Sequence, residues 1–534
     1  MQHITGVSAS GHDGGHPTAT CPALLPEALR AGVTQAGPSS GLVVDDTRLT
    51  LAQADRHATH LAQALIQSGV APGDRVVIVL PSSAEFILVC FAVWKARAIA
   101  VPVDPAIRLP NLHHILRDTE PTALVLDHHM LMHLVEADVE LARLKVIMLQ
   151  SVSQELAGLS HLPIQSLAAL LAHAPADPVR LPTGAHAREV VSITFTSGST
   201  GIPKGVMHTH ASWLAGAAFT RHHLQLTAAD TSLIPLPVHH AYAFRHIVAH
   251  VLAGATVITT DNLYKALAQM QAVRPTALLL VPAACQILLE RFPSLLQEAD
   301  AYLRYIEIGT AAMSPERLER LRALLPTTHI HLSYGLTEAR VGYLQPGTTG
   351  LLNRITNLAS GLELWVQSGP GQPAAVGEPG EIVLRGAGLM QGYWGDSATE
   401  QQRLQTNGFA TGDMGQINSN GHVELLGRID DVLKIGGRKV IPLELELILN
   451  QHPAVLESAA VAVPDPRGVL EYQLHAFVVL KDGETATVEA LATHCQYYLE
   501  PYKRPAAIHL RSSLPKSSVG KVQRRQLAEA YVRA

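Results

Sequence analysis

A β-branched run, Val190-Val191-Ser192-Ile193-Thr194, leads directly into Phe195-Thr196-Ser197-Gly198-Ser199-Thr200-Gly201-Ile202-Pro203-Lys204-Gly205. The first segment reads as a buried strand. The second is too rich in glycine and hydroxyl residues to pack as core. A loop of that composition can wrap a phosphate: glycines permit close approach and positive φ, hydroxyls and amides donate hydrogen bonds, and Lys204 adds a cation. Its spacing is neither the GxxxxGK[ST] of a nucleotide-binding P-loop nor the GxGxxG of a dinucleotide fold. Taken alone, the same composition also suits a flexible linker, so its meaning depends on what accompanies it.

At 534 residues the chain is too long for one core and must divide into domains. Hydrophobic content of 47% with 16% charged residues indicates a well-buried globular enzyme, and a formal net charge of -5 argues against a polyanion-binding surface, so no nucleic-acid partner is expected. The 28 histidines include the doublets His113-His114 and His128-His129 in polar surroundings; most histidines are read as solvated rather than as metal ligands. Cys21, Cys90, Cys285 and Cys495 lie far apart without CxxC spacing, which fits a reduced, cytoplasmic protein. The longest apolar run, 86–94, ends at Lys95, well short of the roughly 18 residues a membrane span requires. The segment 1–23 lacks the basic start and apolar middle of a secretory signal and is read as a frayed tail.

From residue 24 to about 429, short β-branched runs alternate with longer amphipathic stretches. Strands are expected at 76–80, 99–101, 123–126, 278–281 and 305–308, with helices at 84–97 and 109–118. Such alternation predicts an α/β domain of parallel-rich sheets with covering helices. Ligands in such folds sit beyond the carboxyl ends of the strands, where the loop after Thr194 should lie. Between 361 and 384 the texture changes to short strands with Gly and Pro turns, predicting a β-rich subdomain. Residues 430–534 form a second unit with strands at 459–463 and 476–480 and a helix at 488–499, read as a small α+β C-terminal domain.

Four further segments accompany the loop: Tyr334-Gly335-Leu336-Thr337-Glu338; Thr411-Gly412-Asp413; the run from Gly427-Arg428-Ile429-Asp430 through Lys434, Gly436, Gly437 and Lys439 to Pro442; and Pro515 to Arg525, which contains Lys521. In that order the five resemble the AMP-forming adenylate-forming superfamily, which includes acyl-CoA synthetases, peptide-synthetase adenylation domains and luciferase. The resemblance implies activation of a carboxylate by attack on the α-phosphate of ATP, then transfer of the acyl group from AMP to a pantetheine thiol. Two anions must meet in the first step, so catalysis is mainly positioning and electrostatics.

The resemblance also implies roles. Thr196, Ser197, Gly198, Ser199, Thr200, Gly201 and Lys204 would hold the outer phosphates. Gly309 and Ala311 would line the adenine and acyl pockets; many relatives have Pro where this chain has Ala312. Tyr334 and Gly335 would contact adenine, Thr337 the α-phosphate, and Glu338 Mg²⁺, a hard cation suited to a carboxylate and phosphate oxygens. Asp413 would accept the ribose hydroxyls, and Arg428 and Lys439 would contact the nucleotide. Asp430 would be the hinge of a mobile C-terminal domain. Lys434, Gly436 and Gly437 would face the incoming thiol, and Lys521 would bridge the attacking carboxylate and the ATP oxygens.

The segment Leu236-Pro237-Val238-His239-His240-Ala241-Tyr242-Ala243-Phe244 resembles the acyl-pocket region of these enzymes, with His240 at the gate beside the carboxylate. Enzymes that activate α-amino acids place an Asp where Ala241 stands, so the expected substrate is a non-amino acid, with aryl or medium-length monocarboxylic acids leading. Arg245 is expected on a helix surface, the alternative being a pair with a second acidic group on the substrate. CoA and a phosphopantetheinylated carrier protein are both open as acceptors. Two other readings stand beside a CoA ligase: an amino-acid adenylation enzyme loading a carrier protein, and a non-catalytic nucleotide-binding relative.

Overall fold

The computed structural model describes residues 4–5, 22–37, 40–44, 47–150, 159–173, 180–197, 203–260, 262–310, 313, 315–346, 353–395, 403–405, 407–429, 433–435, 438–465, 472–516 and 522–532. Gly198, Ser199, Thr200, Gly201, Ala311, Asp430, Gly436, Gly437 and Lys521 fall outside them, and Ser197, Lys434 and Lys439 are described as strand backbone only.

Two sheets dominate the first 430 residues. One contains a parallel series in the order Arg75–Val79, Ala123–Leu126, Val146–Leu149 and Ile164–Ser166, with Ile99–Pro102 and Val190–Ser197 on the other side of Arg75–Val79. The other runs Gly41–Val44, Thr256–Thr259, Thr231–Ile234, Ala277–Leu280, Tyr305–Ile308 and His329–Gly335 in parallel. It then continues antiparallel through Arg340–Pro346, Asn353–Leu358, Val423–Arg428, Gly408–Ile417, Gly380–Gly386 and Leu362–Gly369, where the β-rich subdomain was expected.

Helices fill the space between the sheets. The helix Ala84–Lys95 is apolar from Phe86 to Trp94 and buried at every residue but Glu85, as a helix covered on nearly every side must be, and Ser83 caps it by accepting from the Phe86 amide. Leu51–Gln67 and His210–His223 begin with capping boxes, Thr50 with Gln53 and Thr209 with Ser212. Side chains alternate along each covered strand: Val76 and Ile78 join the core between the sheets, while Val77 and Val79 join a second core on the outer face. The aromatic residues gather at one place in the inner core. Phe86, Trp94, Trp213 and Phe244 pack with centroids 5.6–6.5 Å apart, and burying one such ring contributes about 1.5–3 kcal/mol.

The C-terminal unit is a separate sheet of Val455–Pro464, Tyr472–Leu480 and Ala507–Arg511, packed on the helices Pro442–Asn450, Val488–Tyr498 and Arg524–Val532. It touches the large domain through Lys481, whose Nζ lies 2.8 Å from Glu316, and through Arg317, which donates to the Leu456 carbonyl.

Two expectations change. The strand beginning at Val190 runs to Ser197, and Pro203–Thr209 returns antiparallel to it with Lys204 opposite Thr196, so both described ends of the segment are strand rather than loop. Five histidines depart from the solvated reading. The doublets lie at the surface or half-buried as expected, but His208, His210, His246, His250 and His475 are buried. Each accepts or donates in a fixed network: His250 donates from Nδ1 to the His246 carbonyl, which leaves Nε2 to accept from the Tyr305 hydroxyl, and His210 Nδ1 accepts from the Leu25 amide.

Burial depresses several of these imidazoles, His208 to about 3 and His210, His223 and His250 to about 4. A histidine whose folded pKa lies below its unfolded value binds its proton first in the unfolded chain. Stability is therefore full above about pH 6.5 and falls as pH drops toward 4, by up to about 1.4 kcal/mol per unit for each such residue. Urea unfolding between pH 7.5 and 5 should show this slope. His210→Asn, which keeps an acceptor for Leu25, should flatten it by about one proton; an unchanged slope would contradict the assignment.

Candidate adenylate-forming site

Asp413 sits near the middle of the antiparallel strand Gly408–Ile417, only 7% exposed. Its two carboxylate oxygens are each engaged: Oδ2 accepts from the Tyr334 hydroxyl at 2.6 Å, and Oδ1 from Arg428 Nη1 at 2.8 Å. Arg428 also donates to the Thr411 carbonyl, and Thr411 Oγ1 accepts from the Asp413 amide. The neighbouring Gly412 has φ +73°, and a Cβ there would come within 2.9 Å of Arg428 Nη2, so only glycine fits. A carboxylate oxygen has two lone pairs, so each can accept a further donor beside the one it already holds.

At the turn after His329–Gly335, Glu338 Oε1 accepts from the Tyr393 hydroxyl at 2.8 Å, and its backbone carbonyl accepts from the Met390 amide. Tyr393 pairs with Val206 of the hairpin, so the Glu338 turn and the hairpin that carries Lys204 are tied through one side chain. A second tie is His208, which sequence reading missed. Its Nε2 lies 2.7 Å from the Thr337 carbonyl and its Nδ1 3.1 Å from Ser212 Oγ. The Thr337 carbonyl can only accept, so Nε2 carries the proton, and burial keeps the ring neutral. His208 thus fixes the backbone of the very turn that presents Thr337. No group of three or more potential metal ligands gathers among the described residues; Glu338 offers a single carboxylate with Oε2 not engaged by Tyr393.

The helix Ala241–Leu252 starts directly after His239 and His240, at the carboxyl ends of both sheets. The Val238 amide donates to Ser82 Oγ beyond the strand Arg75–Val79, and His239 Nε2 lies 3.6 Å from Asp104, beyond Ile99–Pro102. The Asp104 carboxyl is held down to about 2, chiefly by His239. The rings of His239 and His240 lie 4.3 Å apart. Ala241 and Phe244 turn toward the aromatic cluster and line, with Phe86, Cys90, Trp94 and Trp213, an apolar cavity of about 10 Å³, room for one water at most. Phe244 is therefore core rather than open pocket wall.

Tyr242 faces the other way, toward Gly309. A Cβ on Gly309 would meet the Tyr242 ring at 2.7 Å, which explains the glycine. Thr310 has φ +75°, a costly conformation for a β-branched residue, which marks this turn as constrained by its surroundings.

Arg245 overturns its surface expectation. It is 5% exposed, with its guanidinium 5.3 Å from the Trp213 ring centroid and its Cδ packed where Gly216 leaves room. Arg340, from a strand distant in sequence, packs beside it at Gly216. Arg340, Glu307 and Tyr343 form a buried set in which Glu307 accepts from Arg340 Nη2 at 3.3 Å and from the Tyr343 hydroxyl at 3.0 Å, with His246 Nε2 also 3.0 Å away. The only local signal was an acidic residue inside the apolar strand Tyr305–Ile308 and the i, i+4 pair His246 and His250.

Comparison with known proteins matches this geometry. A model for the AMP-binding enzyme family fits residues 33–394, and one for the AMP-binding enzyme C-terminal domain fits 444–521. The chain belongs to the AMP-binding enzyme family. It is 26% identical over 508 residues to a probable CoA ligase, CCL9, of Humulus lupulus, covering 92% of this chain and 93% of that one. It is 27% identical over 493 residues to the oxalate--CoA ligase of Arabidopsis thaliana, covering 87% and 90%. Among solved structures, the anthranilate CoA ligase AuaEII in complex with anthranoyl-AMP superposes with a TM-score of 0.82 at 25% identity, covering 95% and 97%.

The Asp413 cluster yields a separable expectation for this AMP-binding enzyme. Tyr334→Phe keeps the ring and deletes the donor to Asp413, a hydrogen bond to a charged group that contributes about 1.5–3 kcal/mol. KM for ATP should rise roughly 10–100-fold while kcat changes little, as read by steady-state kinetics. An unaltered KM would mean that Tyr334 does not position Asp413 for the nucleotide.

Proposed function

We propose that this enzyme joins a carboxylic acid lacking an α-ammonium group to the thiol of CoA in two steps. In the first, a carboxylate oxygen attacks the α-phosphorus of ATP and the bond to pyrophosphate breaks, giving acyl-AMP. In the second, the thiolate sulfur attacks the acyl carbon and AMP leaves. The observation that carries this reading is the convergence of three features at the carboxyl ends of the two sheets: the Asp413 cluster, the Tyr393–Glu338 pair and the hairpin bearing Lys204.

In this reading Asp413 adds the ribose hydroxyls to the two donors it already accepts, and Tyr334 and Arg428 hold it still. Thr337, fixed from behind by His208, meets the α-phosphate. Thr196, Ser197, Gly198, Ser199, Thr200, Gly201 and Lys204 take the outer phosphates. Glu338 would hold Mg²⁺ through Oε2, and the ion would supply positive charge to the phosphate oxygens. Lys521 places a compact cation between two anions whose repulsion otherwise opposes the reaction. His240 stands at the gate beside the reacting carboxylate, and Gly309 with Tyr242 bounds the acyl group. Lys439 adds charge near the nucleotide.

Residues 24–429 form the nucleotide- and acid-binding domain and 430–534 the moving one, with the hinge at Asp430; Lys434, Gly436 and Gly437 face the thiol after rotation. The acceptor is CoA, the thiol named for the CoA ligases to which the chain is similar. A carrier-protein arm is the second candidate. Ala241, buried at the start of its helix, offers no carboxylate for an α-ammonium, and an unpaired ammonium there would cost several kcal/mol. The enzyme works in the cytoplasm in this reading, which suits the free, buried thiols of Cys90, Cys285 and Cys495. No helix among the described residues is long and apolar enough to cross a membrane.

The half-reactions separate the roles. Lys521→Ala should lower acid-dependent pyrophosphate release by about 10²–10³ while leaving thioester formation from supplied acyl-AMP intact. Asp430→Pro, which fixes φ at a hinge, should do the reverse. HPLC of thioester and AMP with CoA, and with a phosphopantetheinylated carrier, measures both steps and the acceptor. Equal loss in both steps for either variant would argue against its assigned part.

A further inference from the structure

We propose that the acid activated by this enzyme carries a second carboxylate, and that Arg245 recognises it, with Tyr242 and His246 beside it on one face of the helix Ala241–Leu252. The inference deepens the acid-activation reading and rests on it.

Positions 242, 245 and 246 are neighbours on a helix surface at spacings of three and four. Arg245 is one of two arginines buried together here, and the two differ in their partners. Arg340 is paired with Glu307 and also donates to the Tyr334 and Gly342 carbonyls. Arg245 meets no carboxylate among the described residues; its guanidinium faces the Trp213 ring, and its Nε makes no hydrogen bond. One buried carboxylate therefore stands against two buried guanidinium groups, which leaves a single positive charge uncompensated. Burial and the nearby Arg340 lower the Arg245 pKa to about 9, so it remains a cation at neutral pH.

The hydrogen-bond inventory points the same way. Besides Arg245 Nε, the atoms His246 Nδ1, Thr310 Oγ1 and Arg340 Nε are buried without a partner, while the Tyr242 hydroxyl has Ser333 beside it. Folded proteins leave few buried polar atoms unpaired. Here four lie on elements that pack around Gly309 and Gly216: Tyr242 crowds the space a Cβ would need at Gly309, and Arg245 with Arg340 crowds that space at Gly216. An aryl or alkyl group placed here would leave the set unsatisfied. A carboxylate satisfies it: it accepts from a guanidinium through both oxygens and supplies the missing negative charge. Arg245 also lies close enough to His208 to act on it electrostatically, and His208 holds the Thr337 turn. The second carboxylate is therefore near the reacting one, which favours a short diacid over the aryl or medium-chain monoacid expected from the sequence.

The test uses the full-length enzyme and pyrophosphate release with ATP, comparing malonate, succinate, glutarate and adipate with the monomethyl ester of each. Hexanoate and benzoate serve as monoacid controls. At least one diacid should exceed its own ester in kcat/KM by about 100-fold or more, since a site that pairs a buried charge rejects the analogue lacking it. Arg245→Met should abolish that ratio by raising KM for the diacid while leaving the ester within a few-fold, and Arg245→Lys should restore part of it. ATP affinity and the thermal midpoint of each variant show whether the fold is kept. If the Met variant does not fold, the wild-type ratio of diacid to ester decides alone. A wild-type preference for esters or monoacids, or equal loss of diacid and ester in Arg245→Met, overturns the proposal and leaves acid activation standing. No pyrophosphate release with any acid overturns acid activation and this proposal with it.

Discussion

The cluster of Tyr334, Asp413 and Arg428 is the interaction on which the rest of the site depends. Its members come from three strands, His329–Gly335, Gly408–Ile417 and Val423–Arg428, and so join the end of the parallel series to the antiparallel subdomain. A carboxylate as buried as Asp413 is tolerated only when paired and hydrogen-bonded, and here one donor is neutral and the other charged. The cluster also lies at the edge of the large domain, since Arg428 precedes the proposed hinge by two residues. In the proposed function, whatever moves beyond Asp430 would move relative to a nucleotide site fixed on the near side.

One helix then serves two chemistries. Along Ala241–Leu252, Ala241 and Phe244 face an aromatic core that leaves almost no open space, Tyr242 and His246 face the polar set around Glu307, and Arg245 lies against Trp213 and Arg340. The first face holds the helix in register between the sheets. The second is where a substrate would be read. Glu307 and Arg340 sit on strands of the same sheet as the Asp413 cluster, so in the proposed reading the polar wall and the nucleotide site would share one support, and the sheet would set the spacing between the two ends of an acid.

Much of this was legible in the chain. The strands at 123–126 and 305–308 fall where the β-branched runs placed them, and the helix ending at Lys95 stops where its apolar run stops. The motif residues Tyr334, Glu338, Asp413 and Arg428 were legible because their chemistry is local: a short segment carries each. Arg245 was misread because its neighbours in sequence, Tyr242, His246 and His250, make the helix look amphipathic, and a polar face is ordinarily a wet one. What turns that face inward is a glutamate and an arginine contributed by strands 61 and 95 residues away from His246 and Arg245. His208 escaped for the same reason, since its partner Thr337 lies 129 residues downstream. Local pattern reports amphipathicity; it does not report what covers the polar side.

The central claim is that ATP is cleaved between its α- and β-phosphates only when a carboxylic acid attacks. Exchange of labelled pyrophosphate into ATP, with CoA withheld, tests that most directly. The account predicts exchange that requires an acid and Mg²⁺, and the appearance of AMP, without ADP, once CoA is added. Exchange that is indifferent to acid, or ADP as the product, would contradict it.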